Sequence, residues 1–266
     1  MQNDHAGGAL KYWIAVLLCV STMIPAVVHA QLVLNGGVEY LHWTESATPL
    51  HVKETGPMLA LGLSYTQARE AGSLFAYRGR MWGGTADYDG ATLFGGTPLQ
   101  SKTTYEGISN EAQVRWRKAG KSGGSLDGVF GIGLDLWRRA LSSVQKEDYA
   151  VGYARIGVES GATYAGQWTA SLGAKIPFWT YENAHLDQIG FTSNPILHPG
   201  KELSPYGSLG YRFTEKLHLT AYYDGFRFGQ SKEVQTNLSA GLAPATVIQP
   251  RSEMSMFGLK LEYRLR

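Results

Sequence analysis

Residues 258–266 constrain the fold more than any other stretch of the chain. Leu259, Leu261, Tyr263 and Leu265 alternate with Lys260, Glu262, Arg264 and Arg266. An extended backbone therefore carries an apolar row on one face and an ionic row on the other. A soluble strand that buries one face has the same pattern, but here the alternation recurs along the chain, often with an aromatic near a segment end. Repeated in this way it predicts a transmembrane β-barrel, with lipid outside and a polar lumen inside.

Composition supports many strands and tight turns. Glycine numbers 33, tyrosine 15 and tryptophan 7 among 266 residues, and charged residues are only 17%. That usage suits glycine-rich turns and aromatic side chains at a membrane interface. The formal net charge is +2, and no basic run is long enough to track a phosphate backbone, so nothing supports nucleic-acid binding.

The N-terminal segment reads as an export signal. Lys11 precedes an apolar run over 12–24, and after Pro25 comes Val28-His29-Ala30, whose small first and third residues suit cleavage after Ala30. The expected division is a signal peptide, 1–30, and an outer-membrane β-barrel domain, 31–266. Cys19 is the only cysteine and lies in the apolar run, so a disulfide scaffold and a thiol nucleophile are both excluded from the mature chain. No later stretch of about 18 apolar residues remains to form a membrane helix.

The alternation predicts ten strands, near 31–45, 56–67, 73–83, 108–117, 130–136, 153–159, 167–178, 208–213, 217–224 and 258–266. Short turns are expected around Glu70, Gly120, Gly161 and Glu215. A polar connection is expected over 46–54, and long outer loops over 84–103, 181–203 and 230–251. Short and long connections alternating in this order define an all-β, antiparallel up-and-down barrel whose chain starts at the periplasmic side. An immunoglobulin-like or lipocalin-like sandwich is the alternative architecture.

The inward row collects Glu39, Arg78, Arg80, Glu111, Arg115, Arg117, Asp135, Arg155, Glu159, Lys175, Arg212, Asp224, Lys260, Glu262 and Arg264. With both signs present, the charges can pair across the interior. A ten-stranded barrel is far narrower than the 16 to 18 strands that leave a water channel, so a plugged polar lumen is expected, with a narrow solute path as the alternative. Trp116, Trp168, Phe178, Tyr211, Phe213 and Tyr223 fall on the outward row as girdle residues.

Two short motifs are the candidates for chemistry. Asp87-Tyr88-Asp89-Gly90 reads as a loop turn, with Asp capping the backbone and Gly90 supplying positive φ; calcium binding or catalysis is the competing reading. His185-Leu186-Asp187 carries a single histidine with no second one at ligand spacing, so it makes no zinc site. No nucleophile elbow, phosphate loop or dinucleotide fingerprint is present, and no cofactor or metal is expected.

An Asp-x-Asp on the second outer loop and a His/Asp pair on the fourth of a ten-stranded barrel resemble the omptin proteases. In that family a carboxylate pair and a His/Asp pair face each other across a groove and activate water. The resemblance makes Asp87, Asp89, His185 and Asp187 the candidate catalytic set, although the fourth-loop order here is His-x-Asp rather than Asp-x-His. Over nearly all of 31–266 the pattern also resembles the small bacterial outer-membrane barrels that include opacity proteins and OmpA-like membrane domains. That resemblance implies a Gram-negative cell-envelope protein in the outer membrane, exported through the periplasm. It would be in contact with outer-membrane lipid and lipopolysaccharide, folded by the barrel assembly machinery, and would act through its outer loops on an extracellular ligand or in envelope structure. An omptin-like endopeptidase and a narrow channel are the alternatives.

Overall fold

The computed structural model describes residues 30–46, 51–68, 72–92, 96–119, 124–162, 166–241 and 243–265. The expected signal peptide with Cys19, all but Ala30, lies outside the described residues, as do the turns at Glu70 and Gly120. Strands β1 (Ala30–Ser46), β2 (His51–Ala68), β3 (Ser73–Ala91), β4 (Pro98–Ala119), β5 (Gly124–Ala140), β6 (Lys146–Ala162) and β7 (Gln167–Asn183) follow one another as antiparallel neighbours. They continue into β8 (Gly200–Glu202), β9 (Ser204–Arg212), β10 (Leu217–Gly229), β11 (Val234–Asn237), β12 (Pro244–Val247) and β13 (Arg251–Arg264).

Ten strands make the wall. β8 and β9 are two parts of one wall strand, interrupted at Leu203, and both pair with β10. β11 and β12 form a separate hairpin. The wall closes because β1 pairs with β2 on one side and with β13 on the other, in register from Val33↔Arg264 to Ser46↔Arg251. The closed antiparallel barrel expected from the alternation is therefore what the chain forms.

The outward rows expose large apolar side chains in a continuous band, with Leu59 70%, Leu61 62%, Leu172 67%, Ile132 56% and Leu259 52% accessible. A band this wide is not left facing water in a soluble monomer, and it marks the lipid contact. Trp116 and Trp168 are exposed on the same surface. Trp168 packs on Tyr211 at 5.1 Å, Tyr211 on Phe213 at 5.0 Å, and Tyr223 on Phe257 at 4.9 Å, as girdle residues do.

Toward the loop end the outward row turns polar while the strands continue. Beyond Tyr40 come His42 and Thr44, beyond Met81 come Thr85, Asp87 and Asp89, and beyond Phe257 come Glu253 and Arg251. On β3 this extension runs ten residues past Met81, about 34 Å of strand at ~3.4 Å per residue. The barrel thus projects from the membrane on the side that carries the longer connections, which is the extracellular side in barrels of this topology.

That projection corrects several expected boundaries. The stretch expected as a loop over 84–103 is mostly a β-hairpin arm, with pairing running unbroken from Thr85↔Thr104 to Ala91↔Pro98. β2 likewise starts at His51, inside the expected connection over 46–54. Above the membrane no lipid demands an apolar outward row, so these strands read as polar loops in sequence while their backbone groups still pair across the sheet. The last long loop contains β11 and β12.

β7 carries a further departure. A bulge opposite Gly152 and Tyr153 puts Phe178 and Trp179 outward in succession. The side-chain parity then inverts, and Thr180 and Glu182 turn into the interior, 2% and 1% exposed. The connection 184–199 packs on the connection 230–250. Phe191 bridges Leu238, the Thr192 amide donates to the Asn237 carbonyl at 2.9 Å, and Leu186, Phe191, Leu238 and Val247 share a small apolar core.

Candidate functional site

The barrel interior has two levels. The lower one, toward the periplasmic turns, is a cavity of about 490 Å³ lined by the inward charges of the wall strands. Of the charges expected to face inward, all but Glu39 and Lys175 line it. Those two are nearly fully buried at its upper boundary: Arg80 Nη1 meets Glu39 Oε1 at 2.6 Å, and Lys175 Nζ meets Asp224 Oδ1 at 2.7 Å. Asp127, absent from the expected inward set, accepts a two-pronged contact from Arg117 at 3.0 and 2.8 Å.

The upper level is aromatic. Trp43, Met58, Trp82, Tyr105, Trp137, Tyr149, Phe226 and Met256, from eight different wall strands, are 6% exposed or less and form one cluster inside the barrel. Trp137 stacks on Tyr149 at 5.0 Å and 7°, and on Phe226 at 6.0 Å and 13°. Each such pair is worth about 0.5–1.5 kcal/mol beyond its buried area. Inward glycines make room for these rings. A Cβ on Gly107 would stand 2.6 Å from the Trp82 ring, and one on Gly133 would collide with the Tyr153 ring. The inward charges expected from the sequence line the lower cavity, and the interior above it holds these rings.

Above and among the rings one cation holds several carboxylates. Arg139 donates from Nε to Glu54 Oε1 at 2.9 Å, and from Nη1 to Glu45 Oε1 and Glu147 Oε2, both at 2.7 Å. Tyr105 donates to Glu54 at 2.6 Å, Tyr149 to Glu147 at 3.0 Å and Trp43 Nε1 to Glu45 at 2.8 Å. Glu182 Oε2 is buried beside them with no hydrogen-bond partner among the described residues. The outward neighbours at this level, Lys53, Thr44 and Arg138, are polar, so the cluster lies outside the lipid band. Burial, reinforced by the nearby charges of Glu147 and Glu45, pushes the Glu182 carboxyl well above the usual carboxylate range. Burial likewise raises Glu147, against the pull of Arg139.

The structure does not bring the candidate catalytic residues together. Asp87 and Asp89 lie on β3 rather than in a turn, and both side chains point outward; Asp87 pairs with Lys102 at 3.0 Å, with both groups more than 70% exposed. His185 sits at φ 48° ahead of a short 3-10 turn, Leu186–Gln188, and its Nε2 lies 2.8 Å from Asp148 Oδ2 on the outer face of β6. Asp187 is exposed. β3 and β6 are three wall positions apart, about 14 Å at ~4.8 Å per strand, which is too far to share one water. Sequence reasoning missed Asp148, which also accepts from Arg138 at 2.7 and 3.0 Å. Burial raises its carboxyl, but these donors and His185 outweigh burial and hold it below its ordinary value.

A closed ten-stranded antiparallel barrel with an apolar outer band and a charged interior defines the outer-membrane β-barrel class. Among solved structures, the chain is similar to the outer membrane protease OmpT of Escherichia coli, with a TM-score of 0.52 at 8% identity over 92% of this chain and 100% of that one. Weaker likenesses reach the outer membrane protein OprG of Pseudomonas aeruginosa, TM-score 0.41 at 12% identity over 88% and 96% of the two chains. They also reach the translocator domain of the autotransporter NalP of Neisseria meningitidis, TM-score 0.39 at 14% identity over 98% of each. No family model and no curated protein matches the sequence. At these identities the likeness is one of fold, and with the apolar band it places the protein in the bacterial outer membrane.

Proposed function

We propose that this protein is a closed outer-membrane barrel that acts through its extracellular face, in surface binding or envelope structure, in the manner of opacity and OmpA-like barrels. The observation that supports the reading is the aromatic cluster around Trp137, whose side chains come from eight wall strands and pack together across the interior. The connections 184–199 and 230–250 supply the working face. They pack on each other through Phe191 and Leu238 and are tied to the wall through His185 and Asp148, so they present one ordered surface above the membrane. Outer-membrane lipid and lipopolysaccharide are the expected surroundings, and the barrel assembly machinery the expected folding partner.

The test is to replace 232–248 by a short Gly-Ser linker and express the variant in a Gram-negative host. Retained heat-modifiable migration on a denaturing gel establishes a folded barrel. Loss of adhesion to host-cell matrix, or of the barrier to large antibiotics, is the expected result. A folded variant indistinguishable from the parent in both respects would overturn the reading.

A further inference from the structure

The charges of the lower cavity do not balance locally. Glu159 is shared by three arginines. Arg78 Nη2 reaches its two oxygens at 3.1 and 3.2 Å, Arg115 Nη1 lies at 2.8 Å, and Arg155 Nη2 at 3.9 Å. Arg155 has one further ion-pair partner, Glu111, at 3.4 Å and is also within the field of Asp224, while its buried Nε has no hydrogen-bond partner among the described residues. Nearer the periplasmic rim, Arg212 and Arg264 line the same cavity, and neither forms an ion pair among the described residues. Arg264 instead meets the Gln31 side chain, donating to it at 2.6 and 3.1 Å when that amide is turned so that its oxygen faces the guanidinium. The acid beside them, Glu262, is already engaged by Lys260 at 2.9 Å and His218 at 2.6 Å.

Guanidinium groups crowded in this way repel one another, and a confined wall of low dielectric strengthens the repulsion. Water screens them in part, since the Arg78 side chain is 34% exposed and that of Lys260 28%. An oxyanion does better, because planar guanidinium forks bind phosphate or carboxylate oxygens two at a time. The cavity volume falls within the ~300–1,000 Å³ of small-molecule sites. Its lining runs from Gln31 and Arg264 at the turn end to Asp135 and Tyr153 beneath the rings, so its mouth is at the periplasmic side.

We propose that the lower lumen is a dead-end binding pocket, entered from the periplasm, for a small solute carrying two or more oxyanion groups. The Arg78, Arg115 and Arg155 set holds one group, and Arg212 with Arg264 holds another. This inference goes beyond the extracellular role and does not depend on it.

The experiment is calorimetric titration of the full chain, folded in zwitterionic detergent at low salt, with pyrophosphate in one arm and citrate in the other. Submillimolar binding of at least one probe is expected, weakened at least tenfold in an Arg78→Gln, Arg212→Gln double variant that retains heat-modifiable migration. The stronger arm assigns phosphate or carboxylate as the recognised group. Should the double variant not fold, Arg264→Gln serves in its place, with a threefold or greater loss expected. Absence of heat with both probes, or equal binding by parent and folded variant, would overturn the proposal.

Discussion

Arg139 Nε donates to Glu54 Oε1 across 2.9 Å, and in doing so ties β5 to β2. The two strands are not neighbours in the wall, so this bond crosses the interior. The same guanidinium also reaches Glu45 on β1 and Glu147 on β6. One side chain therefore braces four strands above the membrane, where no lipid pressure holds the wall in shape.

Removing that cation leaves Glu45, Glu54 and Glu147 in a dry site without a counter-charge. Arg139→Met is expected to cost about 3–5 kcal/mol, the range for breaking a buried pair from one side. Urea unfolding of the refolded barrel in lipid vesicles measures it. Adding Glu54→Gln to Arg139→Met should return part of the loss, because one uncompensated charge is then gone; additive losses would contradict a shared network.

Acidity should act on the same cluster in a definite direction. Glu182 and Glu147 are raised in the folded protein, so the folded state holds protons that the unfolded chain releases. Their contribution is fully present below the unfolded carboxylate pKa, about 4.3, and is lost as pH rises through the raised folded values. Asp148, held low, has the opposite sign: its contribution is present above its unfolded value and lost as pH falls. Glu182→Gln is expected to raise the thermal midpoint at neutral pH and to flatten its decline between acidic and neutral pH. A midpoint that falls equally at every pH would count against the assignment.

The outward acids of β3 should matter little. Asp87 and Lys102 are both largely solvated, and an exposed pair contributes roughly 0–1 kcal/mol. Asp87→Ala is expected to change stability by less than about 0.5 kcal/mol, read by urea unfolding beside the parent. Peptide cleavage that disappears in Asp87→Ala or His185→Ala would instead support the omptin-like alternative.

The lipid-facing half of the fold was legible because the membrane imposes a rule on sequence. Leu259, Leu261 and Tyr263 had to be apolar and Lys260 and Glu262 did not, so a period of two fixed the strand, its faces and the seam with β1. Past the lipid band that rule lapses. Asp87 and Asp89 obey the same alternation as Tyr77 and Met81, but polar residues facing water look the same on a strand as in a loop. The inner aromatics were hidden for a related reason. Trp43 and Trp137 are the same residue type as the interfacial Trp116 and Trp168, and only strand parity carried beyond the band separates them. The bulge before Trp179 breaks even that parity, which is why Glu182 could not be placed with Arg139. No sequence spacing encodes the charge imbalance around Glu159, because it arises from strands that meet only when the barrel closes.

Single-channel recording in planar bilayers tests the closed lumen most directly. The folded wild-type protein is expected to be silent, while Trp137→Ala combined with Phe226→Ala, which empties the centre of the aromatic cluster, is expected to show flickering openings. Steady unitary conductance from the wild-type protein would contradict a barrel whose interior is shut by its own side chains.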